Sequence, residues 1–182
     1  RLVVQRGDVG LAAAGHLPVG RPAPLAFMAG PVQHIRDAAE RRDAVVRIAE
    51  SLYYDGADAF AVLEAVARTD PVSQIRCIAV RAMANYKDDR PIGALLSVLQ
   101  AKAGSQEALP ADDDIRWESV QALLALTRRG TLTGDPRTLT RDILIKLLET
   151  DPSRNVRIVC AEALGEFKDR EVLAPLIRAL RN

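Results

Sequence analysis

Aromatic side chains are scarce in this chain of 182 residues: one Trp, three Tyr and three Phe, 4% in all, within a hydrophobic content of 48%. A core must then be filled by Ala, Leu, Val and Ile, which suits helices packed closely on helices. Cysteine occurs only twice, at Cys77 and Cys160, which excludes a disulfide-dense secreted scaffold. Charge of one sign is also lacking: 25 basic residues face 24 acidic ones, a net +1. No global field draws nucleic acid or an anionic membrane. No apolar run approaches the ~18–20 residues of a membrane span. A phosphate-binding P-loop, a Gly-x-Ser-x-Gly elbow and a dinucleotide fingerprint are all missing. His16 and His34, the two histidines, have no metal-ligand partner at helical spacing. Asp112-Asp113-Asp114 lacks the glycine and distal glutamate of a calcium loop. It precedes a helical stretch, so its reading is N-terminal capping. No catalytic set and no cofactor-binding set can be assembled from these residues.

What is present is an internal repeat. The stretch from Asp70 to Gln100 matches the stretch from Asp151 to Asn182 at a constant offset of 81. Asp70-Pro71 aligns with Asp151-Pro152, Ile75-Arg76 with Val156-Arg157, and Lys87-Asp88 with Lys168-Asp169. A degenerate copy between them contains Ile115-Arg116, Ala122-Leu123 and Leu126. Each copy reads as two helices. In the first, Ile75, Ala79, Ala82, Met83 and Tyr86 share one face. Their equivalents are Ile115, Ser119, Ala122, Leu123 and Leu126, then Val156, Cys160, Ala163, Leu164 and Phe167. The second helix carries an apolar signature that occurs four times: Val62-Leu63 with Val66, Leu95-Leu96 with Leu99, Leu144-Ile145 with Leu148, and Leu176-Ile177 with Leu180. Asp-Pro ahead of a first helix is a start signal, because proline tolerates the first turn and aspartate favours the positive helix end. A further helical stretch opens at Gly30-Pro31 and runs to about Tyr54, with Val32, Ile35, Ala39, Val46, Ala49 and Leu52 expected on one face.

These residues resemble HEAT repeats, and more closely the short bacterial HEAT-like type first noted in phycobilin lyases. The resemblance is carried by Asp-Pro, then Val/Ile-Arg, then Ala-Glu-Ala-Leu-Gly from Ala161 to Gly165, then Leu-Ile-x-Ala-Leu, and covers roughly residues 41–182. It implies an all-α, right-handed α–α superhelix of about four helix pairs, with second helices along the concave side. Approximate repeats fall at 31–69, 70–100, 112–150 and 151–182, making residues 31–182 the repeat domain. The resemblance further implies that Asp70, Arg76, Arg116, Asp151 and Arg157 form a structural ladder between neighbouring repeats. Recurrence in every repeat argues for structure, because an active site would occur once. HEAT-like iron hydroxylases bind metal through His-Glu pairs, and none exists here.

Spacing locates two insertions. Ile75 to Leu95 and Val156 to Leu176 each span 20 positions, but Ile115 to Leu144 spans 29. The turn around Arg128 to Asp142 is therefore expected to hold nine extra residues. The linker from about Gln100 to Asp114 holds eight more than its counterpart.

The implied function is a non-catalytic interaction scaffold, a subunit of a larger assembly whose partners are other protein chains. Candidate partner-binding residues are Trp117, the lone tryptophan, and Lys146 with Arg178 as a basic strip on second helices. Residues 1–30 form an irregular arm rich in Gly and Pro that carries Leu25, Phe27 and Met28, and is expected to be gripped by another chain. Two alternatives follow from the resemblance alone. One is a bilin-lyase-like enzyme, for which no acid–base set stands out. The other is a HEAT-like nucleic-acid binder, against which the repeat body from residue 43 onward counts 19 basic and 21 acidic residues. The chain begins at Arg1 rather than Met, compatible with a processed or partial chain of the cytoplasm or the cell envelope. Because it stops directly after an apolar signature, the array is expected to continue or to be capped by a partner.

Overall fold

The computed structural model describes residues 32–50, 57–101 and 109–181. A single 3-10 turn, Val32–His34, leads into eight α-helices, and no strand occurs among the described residues. They are α1 (Ala38–Glu50), α2 (Ala57–Thr69), α3 (Ser73–Met83), α4 (Arg90–Gln100), α5 (Asp113–Arg128), α6 (Gly134–Thr150), α7 (Arg154–Gly165) and α8 (Leu173–Ala179), with a second 3-10 turn at Arg170–Val172. The odd helices pack α1 on α3 on α5 on α7, and the even helices pack α2 on α4 on α6 on α8. Each even helix also packs tightly on the odd helix that follows it. The result is a two-layer helical solenoid, in which each pair buries its apolar stripe against its neighbours.

Local chemistry sets the helix boundaries. Asp37 Oδ1 accepts from Ala39 N and Glu40 N at 2.9 and 3.0 Å, capping α1. Asp112 Oδ1 accepts from Ile115 N at 2.9 Å at the start of α5. Asp70 and Asp151 each hold the turn after an even helix by accepting from the backbone N–H two residues on, Val72 at 2.8 Å and Ser153 at 2.9 Å. The end of α5 needs a glycine: Gly130 stands at φ +75°, with Gly130 N donating to Thr127 O and Thr131 N to Leu126 O, the paired bonds of a Schellman turn.

All fifteen first-helix positions singled out by the repeat are buried, from Ile75 and Tyr86 through Ile115 and Leu126 to Val156 and Phe167. Three expectations need correction. The face of α1 is Arg41, Val45 and Ile48, not Ala39 and Val46. The helix starts after the Asp37 cap and not at Pro31, which moves the buried stripe by one residue. The extra residues between Arg128 and Asp142 are not a long turn. They lengthen α6 to 17 residues, because Asp135 and Pro136 fit a first helical turn. The last apolar signature is not core: Ile177 is 52% and Leu180 88% exposed.

Candidate interaction surface

The joints between neighbouring odd helices are fastened by arginines. Arg41 of α1 donates to Asp70, Nε at 2.8 Å and Nη2 at 3.4 Å. Arg116 of α5 donates to Asp151, Nε at 2.7 Å and Nη2 at 3.0 Å. The two rungs are alike. An arginine early in one odd helix reaches forward to the aspartate that precedes the next paired helix, and the planar guanidinium matches the carboxylate with two parallel bonds. The carboxylate of Asp151 raises the pKa of Arg116. Arg41 was not singled out in the sequence, although it stands four residues before Val45 as Arg76 stands before Val80 and Arg116 before Val120.

Arg76 makes no such rung. The position corresponding to Asp70 and Asp151 is Pro110 in the lengthened linker. Its guanidinium donates instead to three carbonyls: Ala67 O at 2.9 Å, Pro110 O at 3.0 Å and Leu109 O at 3.1 Å. Burial lowers its pKa, against the pull of Asp112. This middle joint is closed by other bonds. Arg81 of α3 grips Glu118 of α5 with two contacts of 2.8 Å, and Ser73 Oγ donates to Asp112 Oδ2 at 2.5 Å. Burial pushes the Asp112 carboxyl up. The Ser73 and Ile115 hydrogen bonds, with Arg76 and Arg116 nearby, more than offset this and hold it below the ordinary carboxylate range.

Arg157 of α7 donates Nη1 to Asp151 O at 2.7 Å and Pro152 O at 3.2 Å, and has no carboxylate partner among the described residues. Around it lies an open recess of about 920 Å³, lined by Ile158 and Ala161 of α7, by Leu176, Ala179 and Leu180, and by Arg154 and Arg178. Ile158 is 54% exposed. Leu180 shares the recess with it, and Leu173 and Ile177 of α8 are exposed apolar side chains as well.

The remaining candidates are dispersed. Trp117 lies on α5 and is 38% exposed. Lys146 is exposed on α6. Arg178 is not a free member of a basic strip: its Nη2 and Nε donate to Glu149 Oε1 at 2.5 and 3.2 Å, which neutralises it locally. Leu25, Phe27 and Met28, with the whole arm 1–30 and His16, lie outside the described residues. So does much of the linker beside α5. Both cysteines are free. Burial pushes the Cys160 thiol up to about 12 and the half-buried Cys77 thiol to about 11. Among the described residues no three His, Cys, Asp or Glu side chains gather in a way that would hold a metal ion. No described helix is long and apolar enough to cross a membrane.

A solenoid of paired helices whose first layer is riveted by Arg–Asp rungs defines the class as an α-helical repeat protein. A family model of HEAT repeats matches residues 141–182, the latter part of α6 with α7 and α8, and this segment of the chain carries HEAT repeats. No curated protein matches it.

Proposed function

We propose that this protein is a non-catalytic scaffold that binds other protein chains as a structural subunit of a larger assembly. The observation that carries the reading is the apolar end of the array. Ile158 and Leu180, each more than half exposed, line one recess, and Leu173 and Ile177 of α8 are more than half exposed as well. Clustered exposed apolar side chains are what a protein-binding surface offers and what a free surface avoids. HEAT repeats commonly serve protein–protein interaction, which supports the same reading. The arm 1–30, with Leu25, Phe27 and Met28, supplies the second contact in this proposal, as a tether gripped by a neighbouring chain.

The test is site-specific photocrosslinking in the native host. A benzophenone side chain at Ile177 or Leu180 should give discrete protein adducts, and one at the exposed Ala61 of α2 should not. Absence of adducts from both end positions would refute the scaffold reading. Deleting residues 1–30 should leave the helical spectrum unchanged and abolish co-purification of the adduct partner.

A further inference from the structure

We propose that a recess at the joint of the first two helix pairs binds the carboxyl-terminal residue of a partner chain. Arg36 and His34 hold its carboxylate, and its apolar side chain lies against Ile35, Val66 and Pro71. This rests on the scaffold reading above and specifies a partner's chemistry.

The recess measures about 320 Å³ and lies where the loop before α1 meets the end of α2 and the turn into α3. Ligand pockets run from about 300 to 1,000 Å³, so this one suits a chain end better than a large cofactor. Arg41 and Asp70 line it and are 7% and 6% exposed. They are paired with each other, and Arg41 Nη1 also donates to Ile35 O and Arg36 O at 3.0 Å. Those bonds fix the backbone that carries the rim. Val66 is buried and Ile35 half-buried, which supplies an apolar wall. His34 and Arg36 are exposed and carry no hydrogen bond or ion pair among the described residues. Arg36 and Arg41 outweigh the single carboxylate of the lining, so the recess favours an anion. Asp70 opposes a doubly charged group such as a phosphate more than it opposes a carboxylate.

The chain carries a second version of this place with a different lining. Thr69-Asp70-Pro71 recurs as Thr150-Asp151-Pro152, and Arg116 Nη1 donates to Ala111 O as Arg41 Nη1 donates to Arg36 O. In that register Leu147 stands for Val66, Leu109 for His34 and Ala111 for Arg36. A joint of this kind is therefore built without basic side chains on its rim. What distinguishes the first joint is a smaller side chain in the wall and two hydrogen-bond donors at the mouth. The first makes room for an apolar group, and the second holds a carboxylate beside it. The last residue of a polypeptide joins an apolar side chain and a single negative charge on one Cα, and its main chain leaves through the open side of the recess.

The probe is the peptide fluorescein-Gly-Ser-Gly-Ser-Leu with a free carboxylate, titrated with the 182-residue protein and read by anisotropy. It should saturate below about 1 mM. Amidating the end of the peptide, or Arg36→Gln in the protein, should each weaken binding about tenfold or more, and the two together no further than either alone. Val66→Leu installs the residue found at the other rung and should weaken binding as much, with an unchanged circular dichroism spectrum. His34→Leu combined with Arg36→Ala reproduces the other rim and should abolish binding, which keeps the test decisive if Val66→Leu disturbs the fold. Failure of the free-acid peptide to saturate by about 1 mM, or equal binding of the amidated peptide, overturns the proposal. Competition by N-acetyl-leucine with the same dissociation constant as the peptide would assign the recess to a free carboxylic acid and also overturn it. If the peptide fails to bind while Ile177 and Leu180 still give discrete photocrosslinked adducts, this inference falls and the scaffold reading stands.

Discussion

Replacing Asp151 by alanine strikes the joint between α5 and α7. The residue is 5% exposed, and its carboxylate accepts from Arg116 Nε at 2.7 Å, Arg116 Nη2 at 3.0 Å and Ser153 N at 2.9 Å. Asp151→Ala removes all three and leaves the Arg116 guanidinium with one bond, Nη1 to Ala111 O at 2.7 Å. Removing one partner of a buried ion pair costs about 3–5 kcal/mol, because the other charge stays without compensation. The Arg116 side chain is 18% exposed, so water reaches part of the group. That places the expected loss at the lower end, about 3 kcal/mol. Asp151→Asn keeps acceptors for Ser153 N and for one arm of the guanidinium and should cost about half as much. Arg116→Met combined with Asp151→Ala should cost less than the sum of the single changes, since no lone charge remains. Urea unfolding followed by circular dichroism measures this. With a slope of about 1–3 kcal/mol/M the single change moves the midpoint by roughly 1–3 M. A loss below about 0.5 kcal/mol, or full additivity of the pair, would refute the view that the rung holds the joint.

Leu164 is fully buried on α7, so Leu164→Ala should cost about 2–5 kcal/mol. Segment-resolved hydrogen exchange should find α7 and α8 loosened before α3, since each repeat leans mainly on its neighbours. Ser119 Oγ is buried without a hydrogen-bond partner at a position held by Ala79 and Cys160 in the other repeats. Ser119→Ala should therefore stabilise the fold by up to about 1 kcal/mol in thermal or urea unfolding. Asp112 has a depressed pKa in the folded state, so its contribution is complete above the ordinary aspartate value of about 3.9 and is lost as the pH falls through the folded value. Asp112→Asn should flatten the acid limb of a stability–pH profile and leave its slope above pH ~6 unchanged.

The repeat was legible because its burial pattern is strict. Ile75, Ala79 and Met83 recur as Val156, Cys160 and Leu164, and all six are buried. The α1 register was not legible from apolar residues alone. Val45 and Val46 stand side by side, and only the Asp37 cap or the rung arginine Arg41 decides which one faces inward. The long α6 was obscured by Gly134, Thr133 and Pro136, which suit a loop as well as a helix start. Its buried Thr140, whose Oγ1 donates to Pro136 O at 2.7 Å, gives no hydrophobic signal. The rungs were legible as recurring residue types but not as pairs. Pairing skips a helix, so Asp70 answers Arg41, and no spacing within one repeat records that.

The odd chemistry of the middle joint bears on how such an array avoids folding wrongly. Two near-identical fasteners invite a swap: nothing in the pairs Arg41–Asp70 and Arg116–Asp151 prevents Asp151 from closing on Arg41, which would shortcut the array or entangle two molecules. The fastener between them is keyed differently. Glu118 needs an arginine five residues beyond the rung position of the preceding helix, and Arg81 supplies it. The same place holds Val46 on α1, Gln121 on α5 and Glu162 on α7. So α5 has one correct neighbour, and once it is seated on α3 the order of the remaining helices follows. An unlike clasp among like ones acts as an index mark, raising the misthreaded arrangements in free energy relative to the native one.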